Sequence, residues 1–301
     1  MKKIRGGQLI YPHSLIIGDN ASGKSELIRK LVEEKLQAQE RVYFIDSVNR
    51  YFDVSKIDES KVEVEKEITI VEKRISLDYF NTTDSFSMYG TDTERIEWIY
   101  RKYESQVQEL LKDFCNFVFT VEHKKEKLVK YQGQQEGKLS NGVQALVRIF
   151  LEMLYLQEIV NDNEVLLVID ELDEFLSPSN AAKIFPFLLE KFPNMKFVIS
   201  THSADLVRTA KECNLIILHE NNYEMADVSD FESAGEVKYV FDKVFSMEEQ
   251  EEDRIENILR KLLNNKMLGA WNSTDETEFQ NLKEEQLSNA QKILYKRIEE
   301  W

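Results

Sequence analysis

Lys24 and Ser25 close the run Gly18-Asp19-Asn20-Ala21-Ser22-Gly23-Lys24-Ser25. The spacing fits G-x-x-x-x-G-K-[ST], the pattern of a phosphate-binding loop. The chemistry needs these residue types in this order. Glycines let backbone N–H groups close around phosphate oxygens, the ammonium of Lys24 reaches the β- and γ-phosphates, and the Ser25 hydroxyl is a hard oxygen ligand for Mg2+. Gly18, Asp19, Asn20, Ala21, Ser22, Gly23, Lys24 and Ser25 therefore predict a site for a nucleoside triphosphate with Mg2+. A chance glycine turn before a helix is the plain alternative. The flanks argue against it: residues 8–17 read as a strand with Leu15-Ile16-Ile17 buried, and Glu26 to Leu36 read as a helix, whose positive end would face the phosphates.

Three further groups could act with that loop. Val165-Leu166-Leu167-Val168-Ile169 is an apolar strand ending in Asp170-Glu171, the form of a Walker B motif. Asp170 would organise Mg2+ with Ser25, and Glu171 would polarise the water that attacks the γ-phosphate. A buried strand ending in solvated acids has the same look, and the phosphate loop is what lifts the pair above it. Val198-Ile199-Ser200-Thr201-His202-Ser203 repeats the design, with His202 as the candidate γ-phosphate sensor. Leu139-Ser140-Asn141-Gly142-Val143 precedes a strong helical pattern. Ser140 can cap that helix, and the free N–H groups at its start, including that of Gly142, can hold an anion. Alone, this is an N-cap beside a glycine.

The remaining pattern supplies the scaffold. Arg41 to Ile45 reads as a second buried strand. Val62–Glu65 and Ile68–Val71 read as edge strands. Residues 91–118 carry Ile96, Ile99, Tyr103, Val107, Leu110, Leu111 and Phe114 at helical spacing and read as one helix. Phe117–Val121 and Leu128–Tyr131 suggest a hairpin. Val143–Val160 is a helix, and Ala181–Phe192 a helix joining strands 165–169 and 196–199, which are then parallel. Leu215–Leu218 is a further strand. From 234 onward the chain reads as amphipathic helix, with a break near 269–274. The expected fold class is α/β: a P-loop NTPase sheet in an ATPase domain over 1–233, a small helical lobe at about 91–160, and an acidic helical C-terminal extension over 234–301.

Composition bounds the setting. A chain of 301 residues with 42% hydrophobic content, four prolines and ten glycines can bury a full core without long linkers. No apolar run approaches the about 18 residues of a transmembrane helix. The N-terminus lacks the apolar core of a signal peptide, and Cys115 and Cys213 are isolated, so a cytoplasmic protein without membrane contact is expected. The net charge of −16 does not indicate nucleic acid as partner, because such binding needs a positive footprint. Lys124, Lys125, Lys127, Lys130 and Lys138 could supply a local one, although a solvated hairpin face accounts for them more simply. The acidic run 248–253 is a solvated helix face or a docking surface for a partner.

The order of these groups resembles the ATP-binding-cassette ATPase superfamily over about residues 8–220. Leu139-Ser140-Asn141-Gly142-Val143 fills the place of its L-S-G-G-Q-type signature, with Asn141 replacing the first glycine. Ser140 stands 30 residues before Asp170, a spacing similar to the structural-maintenance-of-chromosomes, RecF-like and overcoming-lysogenization-defect branch. Asp170–Pro178 resembles that branch's acidic stretch and D-loop, and Ser200–Ser203 its T-H-S switch. No clear Q-loop glutamine occurs between Val62 and Gly90; Gln106 and Gln108 fall inside a predicted helix, and Leu77–Asn81 is the positional substitute. The resemblance implies ATP and Mg2+ as cofactors and a head-to-tail dimer. In it, Ser140 and Gly142 of one copy meet the γ-phosphate held by Gly18, Gly23, Lys24 and Ser25 of the other. It implies slow ATP hydrolysis with Glu171 and His202 as catalytic residues, and Tyr11 or His13 on the adenine, unless each simply packs on the core. The expected role is a dimerisation switch regulating a separately encoded effector, with anti-phage defence as one setting. A RecF-like DNA-repair ATPase is the alternative.

Overall fold

The computed structural model describes residues 9–299, leaving out 48–49, 58–69, 79, 82–95, 122–128, 132–133, 137, 162, 220–221, 232–233, 245–254, 256–257, 260, 264, 267–270, 283–286 and 288. The chain divides into two compact units, 1–244 and 245–301.

The first unit is built on a six-stranded sheet. Its strands are β1 (Ser14–Gly18), β2 (Val42–Ile45), β6 (Val165–Ile169), β7 (Met195–Ser200), β8 (Asn214–His219) and β9 (Asn222–Asp227), in the spatial order β2-β6-β7-β1-β8-β9. The first five pair in parallel, and β9 closes the edge antiparallel to β8. Every residue of β1 and β2 is buried, the pattern of strands covered on both faces. β9, with the polar run Asn222-Tyr223-Glu224, is the exposed edge. This is an α/β fold with a mixed, mostly parallel sheet.

Helices connect the parallel strands. α1 (Lys24–Gln37) runs from β1 toward β2, and α2 (Ile70–Arg74) packs on β2. α3 (Ile96–Cys115) packs on α4 (Asn141–Val160), and the small antiparallel sheet β3 (Thr120–Val121), β4 (Val129–Tyr131) and β5 (Gln134–Glu136) lies between them in sequence. α5 (Pro178–Lys191) joins β6 to β7, α6 (Ala204–Thr209) joins β7 to β8, and α7 (Ala234–Val244) packs on α6 and β8. Ten consecutive residues of α4, Gln144 to Met153, are buried, so this helix is enclosed on all sides.

Several elements differ from the sequence pattern. The expected strand at Ile68–Val71 is helix from Ile70, where α2 packs on β2 and buries Val71; Ile68 and Thr69, like Val62–Glu65, lie outside the described residues. The helix expected over 91–118 ends at Cys115, where Asn116 takes a left-handed φ of 52°. Strand β1 begins at Ser14 rather than near residue 8. Ahead of it, the buried Asn214 side chain takes over the backbone: Oδ1 accepts from Ile10 N and Tyr11 N, and Nδ2 donates to Tyr11 O, His13 O and Ser14 Oγ. β5 and β9 had no sequence signal, being short or polar.

In the second unit, Ile255, Leu259, Leu262, Phe279, Leu282 and Ile298 form a core of their own. Its α8 (Ser273–Asn281) starts in a capping box, Asn272 with Asp275. α9 (Asn289–Glu299) brings Tyr295 to stack on Phe279, with ring centroids 4.4 Å apart.

Asn214 sets the first test. Asn214→Ala would remove a partner from four half-buried backbone groups, at up to about 1–3 kcal/mol each. Urea denaturation should show a loss of about 3 kcal/mol or more at unchanged m-value; a loss below 1 kcal/mol would show that water replaces these bonds.

Candidate functional site

The parallel register aligns the carboxyl ends of the central strands. Ile45 pairs with Ile169, Ile169 with Ile199, and Leu15 with Ile199. Asp170 and Ser200, which come next, and Gly18, three residues beyond Leu15, therefore emerge along one edge, where open α/β sheets hold ligands. β7 lies between β1 and β6, so its end, Ser200 to His202, stands between the loop and the acids.

The loop is compact. Ser22 N donates to Asp19 O at 3.1 Å and Asn20 N to Asp19 Oδ1 at 2.6 Å. Ala21 adopts a φ of 64°, and Gly23, the N-cap of α1, a φ of 92° that suits glycine. Lys24 is buried and turns back on the loop, with Nζ donating to Gly18 O at 2.7 Å and Asp19 O at 3.0 Å. Burial pushes its ammonium below the ordinary lysine value, against the pull of Glu171, Asp170 and Asp19. Ser22 Oγ is buried with no partner among the described residues.

Asp170 is where the elements meet. Its Oδ2 accepts from Ser25 Oγ at 3.1 Å and from Asn81 Nδ2 at 2.9 Å, and its Oδ1 accepts from Ser200 Oγ. Ser200 Oγ in turn accepts from Glu171 N at 2.8 Å. The Asp170 carbonyl accepts from Arg50 Nη2 at 2.8 Å. Glu171 takes a left-handed φ of 52°, which turns the chain directly after the strand. Its Oε1 lies 3.6 Å from His202 Nε2. That imidazole, opposed by burial and helped by Lys24 and Arg50, holds the Glu171 carboxyl below the ordinary glutamate value. Asp173, held by Thr201 Oγ1, is pushed the other way by burial.

The structure thus brings Lys24, Ser25, Asp170, Glu171 and His202 together. It also adds Asn81, Ser200 and Arg50. Asn81 lies in the segment that stands where a Q-loop glutamine was sought. Gln108 is committed elsewhere, donating to Tyr100 OH at 2.9 Å and accepting from Phe119 N at 3.0 Å. No residue pattern marks an asparagine side chain as reaching a strand end 89 positions away; only the fold reveals it.

Ser140 and Gly142 sit at the start of α4. Ser140 is exposed and caps the helix, its Oγ accepting from Val143 N at 3.5 Å. A Cβ on Gly142 would lie 3.0 Å from Phe175 O, so a side chain there would press on the backbone after the acid pair. Phe175 itself is 51% exposed at a φ of 65°.

For Tyr11 and His13, expected either on the adenine or packed on the core, the structure shows contacts within the fold. Both precede β1, whereas the loop follows it, about 17 Å away at about 3.3 Å per residue. His13 packs against Phe185 and Phe197 and accepts from Phe197 N at Nδ1. Tyr11 OH donates to Asp227 Oδ2 at 2.8 Å. Lys124, Lys125 and Lys127 lie outside the described residues.

The donors suit Mg2+. One carboxylate and one hydroxyl in contact form a hard oxygen pair, the sparse protein share of a site that Mg2+ completes with waters and phosphate oxygens. Among the described residues there is no cluster of three or more His, Cys, Asp or Glu that would make an all-protein cage. No described helix is long and apolar enough to cross a membrane.

No protein-family model and no curated protein matches the chain. Solved structures do. A structural-maintenance-of-chromosomes (SMC) head domain from Thermotoga maritima is 21% identical, with 44% of this chain and 49% of that chain covered and a TM-score of 0.32. This chain thus spans about half of that head domain. A putative metal-chelate type ABC transporter in an inward-facing conformation is 15% identical over 77% of this chain and 78% of its own, TM-score 0.37. An SMC head bound to the C-winged helix domain of ScpA is 13% identical over 71% and 89%, TM-score 0.39. The strand order and the loop place the chain in the α/β P-loop fold class.

The contact between Glu171 and His202 yields a pH prediction. The depressed Glu171 value contributes stability that is present above the ordinary glutamate pKa of about 4.3 and lost as pH falls through the folded value. His202→Ala removes the largest lowering influence, so the Glu171 carboxyl should titrate at higher pH. Carbon-13 NMR of labelled glutamate, with the resonance assigned by its loss in Glu171→Gln, reads this directly. An unmoved titration would place the cause elsewhere.

Proposed function

We propose that this chain binds ATP with Mg2+, hydrolyses it slowly, and uses the nucleotide to switch between separate and paired copies that regulate a separately encoded effector. The observation that carries the ATPase reading is the Ser25–Asp170 bond at 3.1 Å, which joins the first turn of α1 to the end of β6 across the intervening β7.

Each residue then has a task. The loop N–H groups and the N-terminus of α1 would surround the phosphates, and Lys24 would exchange its two loop carbonyls for phosphate oxygens. Ser25 and Asp170 would hold Mg2+, which supplies charge neutralisation at the phosphates. Glu171, kept ionised, would accept a hydrogen bond from the attacking water, and His202 beside it would donate to the γ-phosphate. Asn81 shares Asp170 Oδ2 with Ser25 and would orient that carboxylate.

The pairing part of the reading draws on the exposed start of α4. Ser140 and its free neighbouring N–H groups form an anion-binding helix end at the surface, beside the exposed Phe175. A second copy's γ-phosphate placed there would bridge the two chains, and hydrolysis would remove the bridge. A ligand that binds one state of an interface better than the other shifts the population toward it. The effector and the anti-phage setting follow from the resemblance, and a docking role for the acidic residues beyond 234 follows from their charge.

Glu171→Gln should lower turnover about 100-fold or more while ATP still binds. Light scattering should then give a doubled mass with Mg-ATP and a single mass without it, and Ser140→Arg should abolish the rise. Turnover equal to the wild type would remove Glu171 from the chemistry. An unchanged mass with ATP bound would remove the pairing switch.

A further inference from the structure

Behind the site lies a group of buried charges that reaches from Asp170 to α4. Asp46, Arg50, Arg74, Arg148 and Glu152 are all buried. Buried ions are a poor route to stability, since apolar packing does as well or better. Their arrangement is directional: two arms leave Asp170 and both end on α4.

The first arm leaves from the Asp170 carbonyl. Arg50 donates to it at 2.8 Å and, through Nη1, to Asp46 O at 2.6 Å. The next residues are held by α4: Tyr51 O accepts from Arg148 Nη1 at 3.3 Å, and Phe52 N donates to Gln144 Oε1 at 3.3 Å. Gln144 Nε2 then donates to Leu139 O at 2.6 Å, the residue before Ser140. The second arm leaves from the Asp170 carboxylate through Asn81. Phe80, beside Asn81, stacks on Phe44 with centroids 5.8 Å apart. α2 leads into this segment and carries Arg74, which bonds Phe44 O and pairs with Glu152 at 2.9 Å.

The three α4 anchors are Gln144, Arg148 and Glu152. Residues four apart lie above one another on a helix, so they form one buried polar stripe. Arg148 Nε and Glu152 Oε1 are 3.4 Å apart within it. The stripe ends at the turn that carries Ser140 and Gly142.

We propose that this stripe is a coupling device: the first arm ties Asp170 to the start of α4 and the second ties it to the same helix at Glu152, so that Mg-ATP at the loop orders the Leu139–Leu146 turn. The inference rests on the ATPase reading above and adds to it a route from the nucleotide to the pairing surface. A stripe that only supports the fold would change stability when cut and leave the ligand response of α4 intact.

The test is hydrogen exchange on the full-length chain, with Glu171→Gln holding the nucleotide. Mg-ATP should slow exchange of the 139–146 amides by about fivefold or more. Adding Gln144→Met, which keeps the size and removes both amide bonds, should cut that response below about twofold. Fluorescence titration should show ATP affinity within about threefold of the parent. Arg148→Lys, which keeps the charge beside Glu152 and shortens its reach to Tyr51 O, should act in the same direction. A full response in either folded variant would overturn the coupling, as would a parent whose α4 ignores bound ATP. Loss of ATP binding in both variants with intact melts would also overturn it, making the stripe part of the binding site. A wild-type chain that binds no ATP would instead overturn the ATPase reading, and the coupling with it.

Discussion

The molecule is organised around a buried carboxylate. Asp170 is 1% exposed, and an ion taken out of water must be repaid in hydrogen bonds. Three side chains from three distant segments do so: Ser25 from the phosphate loop, Asn81 from the segment after α2, and Ser200 from β7. Because each donor must arrive within hydrogen-bond reach, the carboxylate fixes the relative position of loop, sheet and α2 segment. The sheet order makes this feasible. With β7 between β1 and β6, Ser200 sits beside Asp170 and braces Glu171 through its backbone N–H, so the acid pair is held from the strand that also delivers His202.

The same economy explains α4. Enclosed on all sides over Gln144 to Met153, it would ordinarily be apolar throughout. It carries Gln144, Arg148 and Glu152 instead, and each finds a partner on a segment that leads to Asp170. Removing one member of such a buried group costs about 3–5 kcal/mol, because the others are stranded. That penalty makes the group rigid as a unit, a requirement for transmitting a small displacement rather than absorbing it.

Much of this was legible in the sequence, for physical reasons. The parallel strands read clearly because burial on both faces demands continuous apolar runs, as in Leu15–Ile17 and Val165–Ile169. The loop read clearly because its chemistry tolerates few substitutions in type or spacing. What stayed hidden was tertiary. Asn81 carries no local mark, and its role depends on a fold that returns it to Asp170. Ile70 and Val71 looked like strand because short apolar runs are ambiguous between strand and helix, and here the segment is α2, which packs on β2 with Val71 buried. Tyr11 and His13 looked near the nucleotide in sequence, but a strand separates its two ends in space. β9 escaped notice because an exposed edge strand need not be apolar.

The central claim is that Ser25 and Asp170 together form the metal-dependent part of a nucleotide site. Calorimetric titration of ATP, in Mg2+ and again in EDTA, tests it most directly when done on the wild type and on Ser25→Ala. Mg2+ should tighten binding about tenfold or more in the wild type, about 1.4 kcal/mol, and have little effect in the variant. Equal affinity with and without Mg2+ in the wild type, or a full Mg2+ effect in Ser25→Ala, would contradict it.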